Sequence, residues 1–156
     1  MSGDVYVFSE KVKLVEPDLD LQLEISDKAY VFSERISGLG GLPVGSQGKV
    51  ACLIENQRSL LAALLMMKRG CSVMLFNFNK IDYSMIEKYC YGFKLKFQEI
   101  QSIAELEDYA KKMKIKCLVV GQVLADLKQL DTDLTVFKPL ISYSDNQIKE
   151  LIKHYL

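Results

Sequence analysis

The chain has 156 residues, 49% hydrophobic and 26% charged, with only three prolines. That make-up fits one globular domain able to bury a core without metal or disulfide staples, and it excludes extended disorder. Lysine plus arginine equals aspartate plus glutamate, 20 against 20, so no bulk positive field draws in a nucleic-acid backbone, and direct RNA binding by the chain itself is expected to be weak at most.

Residues 1–37 read as a β-rich arm. Tyr6-Val7-Phe8, Leu21 to Ile25 and Ala29 to Phe32 alternate apolar and polar at period two, with Ser26-Asp27-Lys28 placed as a hairpin turn. The pentapeptide Tyr-Val-Phe-Ser-Glu occurs at Tyr6 and again at Tyr30, too little to define a repeat architecture. So small a sheet is marginal by itself. It is expected to pack on the rest of the chain or to pair with a second copy, and the edge strands favour a homodimer through this arm.

Residues 38–48 hold five of the nine glycines and mark a linker. The Gly48-Lys49 ending invites a phosphate-loop reading, but the GxxxxGK[ST] template requires glycine at Pro43 and a hydroxyl at Val50.

From residue 49 to 156, strand and helix patterns alternate. Val50 to Ile54 is a short apolar strand, Ser59 to Lys68 a helix, Ser72 to Phe76 a strand, and Asp82 to Tyr91 a helix with Met85, Ile86 and Tyr89 inward. Leu95 to Phe97 is a brief strand; a helix from Ser102 follows, with Ile103, Leu106, Ala110 and Met113 on its apolar face. Lys111 to Lys116 is read as a solvated rim at that helix's end, where cations complement the dipole. Cys117 to Val120 is a strand, Leu124 to Leu130 a weaker helical piece, and Val136 sits in a short extended run. The last helix is capped by Ser144 and aligns Ile148, Leu151, Ile152 and Tyr155. This β-α alternation predicts an α/β fold, a doubly wound, mostly parallel sheet with helices on both faces. Leu60 to Met67 is apolar all round, so its helix is expected to be covered by the sheet and by the arm or a partner subunit. That run is too short to cross a bilayer, and the first residues show no leader pattern, which predicts a cytoplasmic protein without membrane contact.

The cysteines Cys52, Cys71, Cys90 and Cys117 are far apart, lack a CxxC pair and mostly lie in apolar runs; they read as buried thiols in a reducing compartment. With His154 the only histidine, no metal site is expected. Ligands of an open parallel sheet sit beyond the carboxyl ends of its strands at the switch point, which directs attention to the turn after Ile54.

Around that turn, Gly40-Gly41-Leu42-Pro43-Val44-Gly45 and the helix Ser59 to Gly70 resemble the ThiI-type tRNA 4-thiouridine synthetases, also known from thiamine biosynthesis. In that family the tail of a THUMP domain runs through a GGLPVG linker into a PP-loop ATP-pyrophosphatase domain, an adenine nucleotide alpha hydrolase-like, Rossmann-like fold. Glu16 to Leu19 with the strands after it resembles the THUMP tail. Phe97 to Gln101 and Lys138 to Tyr143 are similar to later family segments, so the resemblance spans nearly the whole chain around a shortened middle. It implies a THUMP remnant at 1–37 and a PP-loop domain at 49–156.

The family's PP-loop reads SGGxDS, where bare glycine amides meet phosphate at a helix N-terminus. Here the turn is Glu55-Asn56-Gln57-Arg58-Ser59. Only Ser59 matches, Arg58 replaces the acidic residue and no glycine remains. A second family element is reduced to Gly121-Gln122-Val123, and the acceptor cysteine of the family has no counterpart. The resemblance thus implies a non-catalytic relative, associated with a tRNA-thiolation or sulfur-transfer protein and with no catalytic residues and no cofactor. The alternatives are an ATP-dependent sulfurtransferase or an adenine-nucleotide-binding module that still takes ATP and magnesium, with Lys49 and Arg58 on the phosphates, Ser59 as the loop hydroxyl and Gly121 beside them.

Overall fold

The computed structural model describes residues 15–16, 18–34, 40–90 and 92–156. The chain divides into two compact units, residues 1–38 and 39–156. In the first, β1 (Gln22–Ile25) and β2 (Ala29–Phe32) form the expected antiparallel hairpin. Leu23 pairs with Val31 and Ile25 with Ala29, so one face carries Leu23, Ile25 and Val31, all exposed. The expected strand at Tyr6 to Phe8 lies outside the described residues.

The second unit is the predicted α/β domain. Its strands are β3 (Lys49–Leu53), β4 (Ser72–Asn77), β5 (Lys96–Glu99), β6 (Cys117–Val119) and β7 (Thr135–Phe137), in the order β5-β4-β3-β6-β7 and parallel at every pairing. Period-two alternation divides the strand residues between two cores. Val50, Cys52, Val73, Leu75 and Val119 face one side, where α1 (Gln57–Lys68) and α4 (Asp145–Tyr155) pack. Ala51, Leu53, Phe76, Leu118 and Val120 face the other, covered by Leu106 and Ala110 of α3 (Ile103–Lys112).

Helix α1 is the keel of the first core. Ser59 to Leu64, Met66 and Met67 are all buried, because the helix lies between the sheet and α4. The second cover is therefore α4, a helix the sequence reading did not name for that role. The C-terminal end of α4 is fixed by Lys68 Nζ donating to the Tyr155 hydroxyl at 3.3 Å and the Tyr89 hydroxyl donating to the Tyr155 carbonyl at 2.8 Å.

The glycine-rich stretch is tied to this domain instead of hanging free. Leu42 N–H donates to the Lys68 carbonyl, and the Gly45 and Gln47 amides both donate to the Gly70 carbonyl. Gly41 sits at φ +93, and a Cβ there would fall 2.0 Å from the Lys68 carbonyl oxygen, so the backbone approaches the end of α1 only because that side chain is missing.

Two predicted helices are shorter than expected. Among the described residues of Asp82 to Tyr91, only α2 (Ser84–Glu87) is α-helical: the Asp82 carboxylate accepts from the Ser84 amide at 2.9 Å, and the amides of Tyr89 and Cys90 bond three residues back, tightening the chain toward Gly92 at φ +88. Leu124 to Leu130 reduces to one 3₁₀ turn, Leu124–Asp126, since side chains of Asp126 and Gln122 take the backbone amides of Val123 and Lys128. Helix α1 also starts two residues earlier than read, capped by Asn56.

Leu61 is fully buried in the α1 core. Leu61→Ala is expected to lower unfolding free energy by about 2–5 kcal/mol, the range for a truncated core leucine, measured as a reduced urea midpoint with unchanged slope.

Candidate functional site

After β3 the chain winds through α1 to β4 and on to β5; it then returns past β3 to lay down β6 and β7. The direction of winding reverses between β3 and β6, and their carboxyl-end turns part there to leave a crevice. A cleft of 190 Å³ occupies it. Leu53, Glu55, Asn56, Arg58 and Ser59 supply one wall, and Val120, Gly121, Gln122, Asp126 and Lys128 the other. The volume is below the ~300–1,000 Å³ typical of small-molecule sites.

The first wall is a capped helix start. Asn56, at φ −165, presents Oδ1 to the Ser59 amide at 3.2 Å. Ser59 Oγ in turn accepts from the amides of Glu55 at 2.8 Å and Asn56 at 3.0 Å, and donates to the Asn56 carbonyl at 2.7 Å. A hydroxyl has one donor and two lone pairs, so Ser59 is saturated inside the turn, and its residue is only 2% exposed. The amides of Glu55, Asn56 and Ser59, which an anion at this helix start would seek, already have side-chain acceptors.

The second wall approaches closely. A Cβ on Gly121 would lie 2.5 Å from the Ser59 nitrogen, so the missing side chain serves contact between this loop and α1. Across the cleft Arg58 forms an ion pair with Asp126 at 2.7 Å, the one ion pair among the described residues. The Val123 amide, donating to Asp126 Oδ1 at 2.9 Å, is the main cause holding that carboxyl below its ordinary range, with Arg58 adding to it. Glu55 and Asp126 balance Arg58 and Lys128 in the lining, so the cleft carries no net positive charge to attract a polyanion.

Of the sequence candidates, the structure brings Arg58, Ser59 and Gly121 together. Lys49 is not with them: it opens β3 at the opposite end of the sheet, about 13 Å away at ~3.3 Å per strand residue, and lines a different recess. Sequence reasoning missed Asn56 and Asp126. The Asn56-to-Ser59 spacing is a capping-box signal, whereas the Arg58 to Asp126 pair joins two distant loops and has no local signature.

Burial governs three of the four thiols. All four cysteines are free, Cys52 and Cys90 buried as read, Cys71 and Cys117 only half-buried because they stand at strand starts. Burial pushes the Cys52 thiol up, with Cys71 adding to it; burial raises Cys71 and Cys90 likewise. A raised thiol is a poor nucleophile at neutral pH. Among the described residues no group of three His, Cys, Asp or Glu side chains is placed to hold a metal, and no helix is long and apolar enough to cross a membrane.

No protein-family model matches the chain. It is similar to a probable tRNA sulfurtransferase of Methanocaldococcus jannaschii, at 30% identity over 92% of this chain and 50% of that protein. The probable tRNA sulfurtransferase of Methanobrevibacter smithii is 36% identical over 75% of this chain and 30% of its own length. Among solved structures, that of PH1313 from Pyrococcus horikoshii matches with a TM-score of 0.77 at 26% identity, covering 92% of this chain and 53% of that one. The chain thus spans about half the length, or less, of the curated relatives it matches. The alignment to the M. jannaschii protein runs over 190 positions, more than the chain contains, so the relative carries residues within the shared span that are absent here.

Ser59→Ala removes the acceptor for two amides at a buried helix start. A loss of about 1–3 kcal/mol is expected, read as a lower urea midpoint; an unchanged midpoint would contradict the hydrogen-bonded turn.

Proposed function

The chain belongs to the ThiI-like family of tRNA sulfurtransferases, and we propose that within it this protein serves tRNA thiolation or thiamine-linked sulfur transfer without catalysing adenylation itself. The observation that carries this reading is the saturated Ser59 hydroxyl. A triphosphate settling after β3 would meet amides of Glu55, Asn56 and Ser59 that already have side-chain acceptors, in a cleft without net positive charge. The residues present therefore do not fit ATP and magnesium. Arg58, the cation nearest the expected phosphate position, is engaged by Asp126.

The alternative, an altered loop that still binds adenine nucleotide, keeps Arg58, Ser59 and Gly121 as its contacts. It requires the Arg58 to Asp126 pair to open and the turn to rearrange. We favour the non-catalytic reading because each of these steps costs hydrogen bonds that the folded turn already has. A cytoplasmic location, where tRNA and reduced thiols are found, goes with it.

Deletion of the gene is expected to lower 4-thiouridine in bulk tRNA, measured by mass spectrometry of nucleosides, while the isolated chain shows no tRNA-dependent exchange between ATP and pyrophosphate. Measurable exchange would sink the non-catalytic reading. Unchanged 4-thiouridine, with thiamine independence also unchanged, would sink the assignment to sulfur transfer.

We further propose that the chain forms a homodimer through its arm, where Leu23, Ile25 and Val31 present 55–72% of their surface to solvent on one hairpin face. An isolated hairpin is marginal in water, and a second copy would cover that face. Light scattering is expected to give twice the chain mass at micromolar concentration; a monomer at high micromolar concentration would contradict it.

A further inference from the structure

The opposite end of the sheet from the cleft holds a second recess, of 240 Å³, at the amino ends of β3, β4 and β5. Its inner surface is apolar: Met74, Phe93 and Met113 are half-buried there. Around it stand Lys49, Lys94 and Lys96, all exposed, and no carboxylate contributes to the lining. None of these lysines forms an ion pair with a described residue. In a chain with equal numbers of acidic and basic residues, this is a local concentration of one sign beside an apolar hole.

Sheet-edge protection does not account for it. Lysines commonly blunt edge strands, and Lys96 is on the edge strand β5, but Lys49 opens the central strand β3 and Lys94 precedes β5. The three come from separate positions and meet only because Phe93, Lys94 and the start of β3 gather at one end of the sheet.

We propose that this recess docks an acidic segment of a partner protein, with one large apolar side chain entering the hole and flanking carboxylates meeting Lys49, Lys94 and Lys96. Charge complementarity selects an anionic partner, and the apolar interior selects an anchor that a nucleic-acid backbone does not supply. The volume is below the ~300–1,000 Å³ of small-ligand sites and suits a single side chain. Docking here leaves the cleft after β3 unobstructed, so it does not depend on whether nucleotide binds there.

The test uses the full chain as bait for a phage-displayed library of random ten-residue peptides, with selected peptides measured by fluorescence polarisation. Enrichment of peptides that place a leucine or aromatic residue among aspartates and glutamates is expected. Binding should weaken at least ten-fold in the Lys49→Gln, Lys94→Gln, Lys96→Gln triple variant, and weaken comparably when the apolar anchor is changed to glycine. The lysines are exposed, and an unchanged thermal midpoint of the variant confirms its folding. Three results would overturn the proposal: no enrichment of that pattern, selected peptides that bind the triple variant equally well, or a ten-nucleotide polyuridylate that binds more tightly than the peptides through the same three lysines.

Discussion

One hydroxyl sets the character of the switch-point end of this molecule. Ser59 Oγ receives two amides and gives its proton to a carbonyl, while Asn56 takes the amide of Ser59. A helix start normally leaves its first amides in want of acceptors, which is what makes it attractive to phosphate. Here the amides of Glu55, Asn56 and Ser59 find their acceptors from within the same five residues. The consequence reaches outward, because the closed turn lets the loop after β6 come close enough for Gly121 to touch the Ser59 backbone, and that approach in turn places Asp126 within reach of Arg58.

The α/β framework was legible because its signals are local and periodic. Val50, Cys52 and Ile54 against Ala51 and Leu53 show the alternation of a strand buried on both faces, and Ile148, Leu151, Ile152 and Tyr155 show the spacing of one helical face. The glycine-rich stretch was legible as a change of composition, but its attachment to the end of α1 was not, since the bonds from Leu42, Gly45 and Gln47 cross about 25 residues and no local pattern announces them. The short α2 and the 3₁₀ turn at Leu124 failed for another reason: Asp82, Gln122 and Asp126 side chains compete for backbone amides, and a count of apolar spacing does not register that competition.

At the site, the loss of glycines after β3 could be read directly, yet its structural outcome could not. The side chains that bond across the turn are Asn56 and Ser59. The resemblance offers Lys49 and Arg58 together as phosphate contacts, but a strand separates them, and the lysine lines a recess with its own chemistry. The two ends of the sheet therefore differ in kind. One is a neutral, hydrogen-bonded crevice; the other is an apolar hole ringed by three exposed lysines.

The most direct test of a closed turn is a two-dimensional ¹H–¹⁵N spectrum of the labelled chain, recorded through hydrogen exchange and then through titration with magnesium and ATP. Slow exchange at the amides of Glu55, Asn56 and Ser59 is expected, with their shifts unmoved up to millimolar nucleotide. Fast exchange together with saturable shifts at those three amides would mean that the turn stands open and accepts phosphate, contrary to everything derived from the Ser59 hydroxyl.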